Sequence, residues 1–293
     1  MSEFRYIDWL RKQTPAHGRV LLGPGDDAAA VAWHRDSAVL LTTDILTDGV
    51  DFRLEESDPR RIGRKAIAVN LSDIAAMAGQ PVAAVVGVVL PQGCGADLPE
   101  ELYRGMRQIA DEFDMPIVGG DTNSWPGKLV LSVTVVGEIT GRGPVTRSGA
   151  RPGDWLFATG SFGQSILGHH FDFTPRVREA QALHASVDLH AMIDVSDGLA
   201  ADLHHICEES RCGAILYAER IPRRNDAELA NALADGEDFE LVFAVAPSDG
   251  EKLLRDPPIP GLSHIGVCVE SGLWIEQDGT RAPLPPTGWV HSF

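Results

Sequence analysis

Ala66-Ile-Ala-Val-Asn-Leu-Ser-Asp-Ile-Ala-Ala-Met-Ala78 is almost entirely apolar, yet it holds one carboxylate, Asp73. Ser57 or Asp58 can cap a helix here, Pro59 suits its first turn and Gly79 its exit, so the pattern predicts a helix over 59–78. Asn70 and Asp73 are three apart and share a face. Asp73 lies toward the C-terminal end, where the helix dipole disfavours negative charge. An unpaired buried charge is expensive, so Asp73 needs a cation or a dense set of donors. The other reading is a structural salt bridge, for instance to an arginine.

Working outward from this helix, the chain alternates strand and helix. Ala38–Thr43 reads as a buried strand, Val82–Leu90 as a second one ended by Pro91, and Leu129–Glu138 alternates as a strand should. Between them Leu98–Phe113 reads as a helix with Asp97 as its cap. Gly141-Arg-Gly-Pro144 and Arg147-Ser-Gly-Ala-Arg-Pro-Gly-Asp154 are dense in turn residues, and a strand starts afresh at Trp155–Thr159. The expected domains are therefore 1–145 and 146–293. In the second, helices near 162–169, 176–184, 198–210 and 226–233 alternate with strands near 190–193, 213–218, 239–246 and 262–268. The proline-rich Ala282–Pro286 reads as a loop. The fold class is mixed α/β (α+β), without internal repeat or coiled coil.

The composition narrows the function. The 293 residues are 44% hydrophobic and 23% charged, as in a soluble globular protein. No apolar run reaches the roughly 18 residues of a membrane span. Glu3 and Asp8 near the start argue against a signal peptide, so the expected location is cytoplasmic. With 42 acidic and 25 basic residues the net charge is −17, which argues against a nucleic-acid partner because a phosphate backbone needs a basic face. A small phosphorylated ligand remains compatible if cations stand between it and the acids.

The acids recur near strand ends and turns: Gly23-Pro-Gly-Asp-Asp27, Thr42-Thr-Asp44 at the end of a strand, Gly119-Gly-Asp-Thr122, and Asp194-Val-Ser-Asp-Gly198. Each alone is a weak signal, since Asp or Ser before a helix is more often a cap than a ligand and Asp-Gly is common turn chemistry; together they suggest a site. If Asp27, Asp44, Asp73 and Asp121 converge, mutual repulsion of about 1 kcal/mol per pair at 4 Å in water, and about 4 in a protein-like medium, requires cations among them. Carboxylates and hydroxyls suit Mg²⁺, which shares its shell with phosphate oxygens. Zinc fits poorly: the ten histidines form no HxxxH or Cys/His set, and His169-His170 and His204-His205 are expected in ordinary helices. Cys94, Cys207, Cys212 and Cys268 form no CxxC pair and read as reduced structural thiols. There is no GxxxxGK[ST] loop and no HRD or DFG set, so any ATP chemistry uses another architecture.

These motifs, in this order, resemble the thiamine-monophosphate kinases over nearly the whole chain. The match includes Thr43-Asp-Ile-Leu-Thr-Asp-Gly-Val-Asp-Phe52, Lys65 to Met77, Arg147-Ser-Gly-Ala150, Asp194 to Leu199 and Gly236-Glu-Asp-Phe-Glu-Leu241. The resemblance implies the two-domain aminoimidazole ribonucleotide synthetase-like fold, a homodimer through the N-terminal domains, and a cleft between domains. It implies ATP and thiamine monophosphate as partners, with Mg²⁺-assisted transfer of the γ-phosphoryl group. Asp27, Thr42, Thr43, Asp44, Asp73, Asp121, Asp194 and Asp197 match the family's magnesium positions. Gly120, Asp121, Arg147 and Ser196 match ATP contacts, with Tyr103 as a further candidate; Asp51, Glu237 and Trp289 match contacts to the thiamine-bearing substrate.

The chain departs from the family at three places. Asp51 stands where histidine is common, Asp235-Gly-Glu-Asp238 replaces Gly-Gly-Glu-Asp, and the segment from Gly168 to Phe173 is short. No general base is expected, because the attacking phosphate oxygen is already largely deprotonated. Selenophosphate synthetases and hydrogenase-maturation dehydratases usually carry a reactive cysteine near one terminus. Here the first cysteine is Cys94 and the chain ends His291-Ser-Phe293. A non-catalytic binder of nucleotide or thiamine phosphate on the same scaffold is the rival of a different class.

Overall fold

The computed structural model describes residues 20–22, 29–32, 38–95 and 97–290. Gly23-Pro-Gly-Asp-Asp27, with the candidate ligand Asp27, lies outside them. A first sheet combines β1 (Val20–Leu22), β2 (Ala29–Ala32), β3 (Ala38–Thr47), β4 (Gln80–Pro91), β5 (Ile117–Trp125) and β6 (Val130–Glu138) in the order β1-β2-β3-β6-β4-β5. Among the described strands of this sheet only β4 and β5 pair in parallel. Helices α1 (Pro59–Ala76) and α2 (Asp97–Glu112) connect its strands. The apolar stripe of β6, Leu131, Val133 and Val135, is fully buried, as period-two alternation requires of a strand with one covered face.

The second sheet runs β13-β12-β9-β11-β7-β10-β8. Its strands are β7 (Trp155–Ala158), β8 (Leu189–Asp194), β9 (Gly213–Tyr217), β10 (Leu241–Val245), β11 (Ser263–Val269), β12 (Leu273–Gln277) and β13 (Thr280–Pro283). The described helices here are α3 (His169–Asp172), α4 (Val177–Ser186), α5 (Leu199–Ser210), α6 (Leu229–Ala234) and α7 (Pro247–Arg255). One apolar core joins α1 and α2 to Phe157, Phe239 and Phe243 of the second half; another lies between α5 and the second sheet.

Several expectations from the sequence change. Asp58 caps α1, accepting the Arg60 N–H at 2.9 Å, but the exit comes earlier than Gly79. Ala78 takes the left-handed conformation (φ 53°), and the Gly79 N–H bonds back to the Ile74 carbonyl at 2.9 Å. Gly79 is needed for space instead, since a Cβ there would lie 2.4 Å from Leu40. Strand β3 continues to Thr47, so Asp44 sits within a strand. The helix expected over 162–169 is absent: left-handed Gly163, Gln164 and Gly168 leave only a single tight turn at Ser165–Leu167. Ala282 and Pro283, read as loop, belong to the edge strand β13, where a missing N–H is tolerated.

Candidate active site

Helix α1 positions the site through one stripe. Lys65, Val69 and Asp73 are four apart and face the same way. Thr42 donates its hydroxyl proton to an Asp73 carboxylate oxygen. The next residue, Ser72, donates to Asp194 at 2.5 Å, so adjacent side chains of one helix serve both halves of the protein. Asp194 ends β8 with 2% of its surface exposed.

Strand alternation divides the Thr42-Thr-Asp44 triplet. Thr42 is buried toward α1, whereas Thr43 stands on the other face, donating to the Val133 carbonyl at 3.0 Å and accepting from Thr134 at 2.9 Å. Loss of hydration, with the charge of Asp51 behind it, raises the Asp44 carboxyl to about 6. Asp51 itself accepts the Thr47 N–H at 2.6 Å.

A cavity of about 500 Å³ opens between the halves. Asp44, Asp51 and Lys65 line one wall; Ser196, Asp197, Glu237 and Trp289 line the other, and Ile166 lies at its margin. Lys65 is 1% exposed. Its ammonium donates to the Asp51 carbonyl at 2.8 Å, lies 3.0 Å from His170 Nδ1, and forms an ion pair with Glu237. His170 Nδ1 is also 3.1 Å from Glu237. Burial pulls the Glu237 carboxyl upward, but the hydrogen bond to His170 and the charge of Lys65 outweigh it and hold it below the usual range. Glu237 is placed by a left-handed backbone (φ 52°), with its N–H on the Ser196 carbonyl at 2.7 Å. A non-glycine residue in that region is held there by its surroundings, a pattern that clusters at binding sites.

The Asp194-Val-Ser-Asp-Gly198 loop is organised by Asp202 on the first turn of α5. Asp202 accepts the Asp197 and Gly198 N–H groups, each at 3.0 Å, and is 2% exposed. Desolvation, then the charges of Asp197 and Asp194, raise its carboxyl well above the usual range, while Arg147 opposes them. Asp197, Asp202 and His205 each offer one ligand atom within 4.8 Å of the others. The backbone N–H of Trp289 bonds the Asp197 carbonyl at 2.9 Å.

Gly120, Asp121 and Tyr103 line a second cavity of about 320 Å³ with residues of α2 and β4. Gly120 lies in a strand, not a turn; a Cβ there would meet the Val86 carbonyl at 1.9 Å. The register runs Asp121, Gly87, Ser132, Ile45, three strand spacings or roughly 14 Å. Asp121 therefore does not line the cavity that Asp44 lines. Among the described residues Asp44, Asp51 and Asp197 line the first cavity and Asp121 the second, while Asp73 and Asp194, bonded to Thr42 and Ser72, line neither.

Lys65, His170, Asp202 and His205 were not singled out from the sequence. Counting back by fours from Asp73 reaches Lys65, which was the available signal for it. His170 lies in a helix as expected, but α3 is fixed on α1 by Arg61 on Asp172 at 3.0 Å and by Arg64 on the Phe171 and Phe173 carbonyls at 2.9 and 2.6 Å. The short Gly168–Phe173 segment thus delivers a buried histidine to the Lys65–Glu237 pair of the cavity wall.

Residues 25–139 match the model for AIR synthase related protein, N-terminal domain, and residues 132–273 match that for its C-terminal domain. The two-sheet fold with a cleft between its halves is thus that of the AIR synthase related proteins. The chain is 38% identical over 309 aligned residues to the thiamine-monophosphate kinase of Rhodopirellula baltica, covering 99% of this chain and 97% of the relative. It is 32% identical to the thiamine-monophosphate kinase of Bacillus subtilis, covering 99% of each. Among solved structures, AaThiL complexed with AMPPCP and TMP superposes with a TM-score of 0.85 at 29% identity, covering 99% of this chain and 97% of that one. The chain belongs to the thiamine-monophosphate kinase family.

Proposed function

We propose that this chain transfers the γ-phosphoryl group of ATP to the phosphate of thiamine monophosphate, giving thiamine diphosphate and ADP. The observation that carries this reading is the cavity between the halves, with Asp44, Asp51 and Asp197 grouped near the Lys65–Glu237 pair and Trp289. Family membership and the AMPPCP and TMP bound by AaThiL support it.

In this reading Trp289 packs on the flat or cationic part of the thiamine group, and Glu237 accepts from its ring donors. Asp51 offers a carboxylate at the same end. Arg147, whose forked guanidinium suits phosphate, and Ser196 hold the phosphates of ATP, while Gly120, Asp121 and Tyr103 shape the second cavity for the nucleotide.

The donor chemistry fits Mg²⁺: Thr42, Asp44, Asp73, Asp194 and Asp197 offer only hard oxygens near the junction of the halves, and Thr43 and Asp121 offer the same kind of oxygen apart from them. Bound there, Mg²⁺ would neutralise phosphate charge and allow two anions to approach. The chain's own work is to orient donor and acceptor in line and to exclude water. A phosphate monoester loses its second proton near pH 6, so no side chain is assigned as general base. A cytoplasmic homodimer is part of the same reading.

The test is product analysis with ATP, Mg²⁺ and thiamine monophosphate. Equimolar thiamine diphosphate and ADP are expected. Binding of both ligands without turnover would select a non-catalytic binder instead.

A further inference from the structure

Three of the four cysteines meet at the far end of α5. The helix closes there with a reciprocal turn: the left-handed Arg211 (φ 55°) bonds the Glu208 carbonyl at 3.2 Å, and the Cys212 N–H bonds the Cys207 carbonyl at 3.0 Å. In such a terminus the residue after the left-handed one packs on the residue five before it, which brings Cys212 onto Cys207. Cys268 arrives from β11. It pairs with Ala214 of β9, and Ala214 and Cys212 are two apart, so all three side chains favour one face. The Cys212 thiol interacts with both the Cys207 and Cys268 thiols. Cys207 and Cys268 are buried, whereas Cys212 is partly exposed.

We propose that Cys212 is a peroxide-reactive thiol that closes a reversible disulfide with one of its two neighbours. The Cys212 thiolate attacks a hydroperoxide oxygen. An S–O bond forms, the O–O bond breaks, and the departing oxide takes a proton to become water or an alcohol. The sulfur of Cys207 or Cys268 then attacks the sulfenic sulfur. An S–S bond forms, the S–O bond breaks, and water leaves with the second thiol's proton. Two thiol sulfurs are oxidised and one peroxide is reduced. The contacts from both neighbours also stabilise the Cys212 thiolate, lowering its pKa. Its partial exposure admits the oxidant, and two buried thiols beside it favour a disulfide over further oxidation.

The centre lies beneath the Arg147 loop. Ser210, between Cys207 and Cys212, donates its hydroxyl to the Arg147 carbonyl at 3.0 Å and accepts the Gly149 and Ala150 N–H groups, each at 3.1 Å. The Gly153 N–H bonds the Cys268 carbonyl at 2.8 Å. Drawing two sulfurs to about 2.05 Å displaces the turn that carries Ser210 and, with it, Arg147. Oxidation therefore raises the KM for ATP; this consequence alone rests on the kinase reading.

The experiment treats the full-length wild-type chain with hydrogen peroxide and maps it by mass spectrometry with and without a thiol reductant. A Cys207–Cys212 or Cys212–Cys268 linkage, loss of two hydrogens and reversal by the reductant are expected; Cys94→Ser should behave the same. Oxidation confined to Cys94, or Cys212 ending as sulfinic or sulfonic acid, overturns the proposal. An ATP KM raised at least roughly threefold (about 0.7 kcal/mol) and restored by reductant supports the link to Arg147. A mapped disulfide with unchanged KM in an active kinase removes that link. Lack of kinase activity in the reduced chain would count against the function, and the mapped disulfide would still decide the thiol chemistry.

Discussion

Ser72 Oγ and Asp194 Oδ2 are 2.5 Å apart across the junction of the two halves. This bond gives a carboxylate that is 2% exposed a donor from the other half. Removing one partner of a buried pair leaves the other with its full desolvation cost, about 1–3 kcal/mol or more for a charge. Ser72→Ala should therefore lower stability by roughly that amount, read by urea denaturation, and should reduce turnover because Asp194 is no longer fixed. Unchanged stability and kcat would show that Asp194 is held by other contacts.

Asp73→Asn keeps the shape of the side chain and the Thr42 contact but removes the charge. Turnover should fall by at least roughly a hundredfold, about 2.7 kcal/mol of transition-state stabilisation, most steeply at low Mg²⁺, with the far-ultraviolet circular dichroism unchanged. Near-normal activity at limiting Mg²⁺ would remove Asp73 from the ligand set.

Lys65 is the most deeply buried cation of the cavity wall and neutralises Glu237. Lys65→Met leaves the Glu237 carboxylate with only His170 of these two partners, and breaking such a pair costs up to about 3–5 kcal/mol. Adding Glu237→Gln in the same chain should recover part of that loss. Additive effects in the double-mutant cycle would mean that the pair is not coupled.

Asp44 supplies a pH test. Its folded value is about 6 against an ordinary 3.8, so between these values the folded chain holds a proton that the unfolded chain has released. The contribution of this group to stability therefore falls as pH rises through that window. Without divalent cations, wild type should lose roughly 1–3 kcal/mol relative to Asp44→Asn between about pH 4 and pH 7. Mg²⁺ should diminish the difference. Parallel curves for the two proteins would contradict it.

Trp289 is 54% exposed and has its backbone fixed on the Asp197 carbonyl. Trp289→Ala should raise the KM for thiamine monophosphate roughly tenfold, as loss of about 1.4 kcal/mol requires, while the KM for ATP stays near wild type. Equal changes in both constants would point to a general disturbance of the cleft.

The sequence made β3, β8 and the acids on them legible because short apolar runs interrupted by carboxylates are strong local signals. It was less informative where the deciding factor is tertiary. Apart from its four-residue spacing from Val69 and Asp73, nothing local distinguishes Lys65, covered by Asp51, His170 and Glu237, from an exposed helix lysine. The tight turn around Ser165 required three left-handed backbones, one at Gln164, which composition alone does not announce. The separation of Asp121 from Asp44 follows from strand order, and order in a sheet is not written in any one strand. Cys268 joins Cys207 and Cys212 for the same reason.

Helix α1 is tied to the second half by Ser72 at one point and Lys65 at another, both buried. Prising the halves apart would expose two charged contacts at once, so they do not behave like the jaws of a clamp. The mouth is different: Ile166 and Trp289 are 65% and 54% exposed and can swing aside with little loss of packing. Traffic through the cleft should therefore be governed at this threshold, and the exchange of ligands should respond more to the bulk of those two side chains than to anything that loosens the seam behind them.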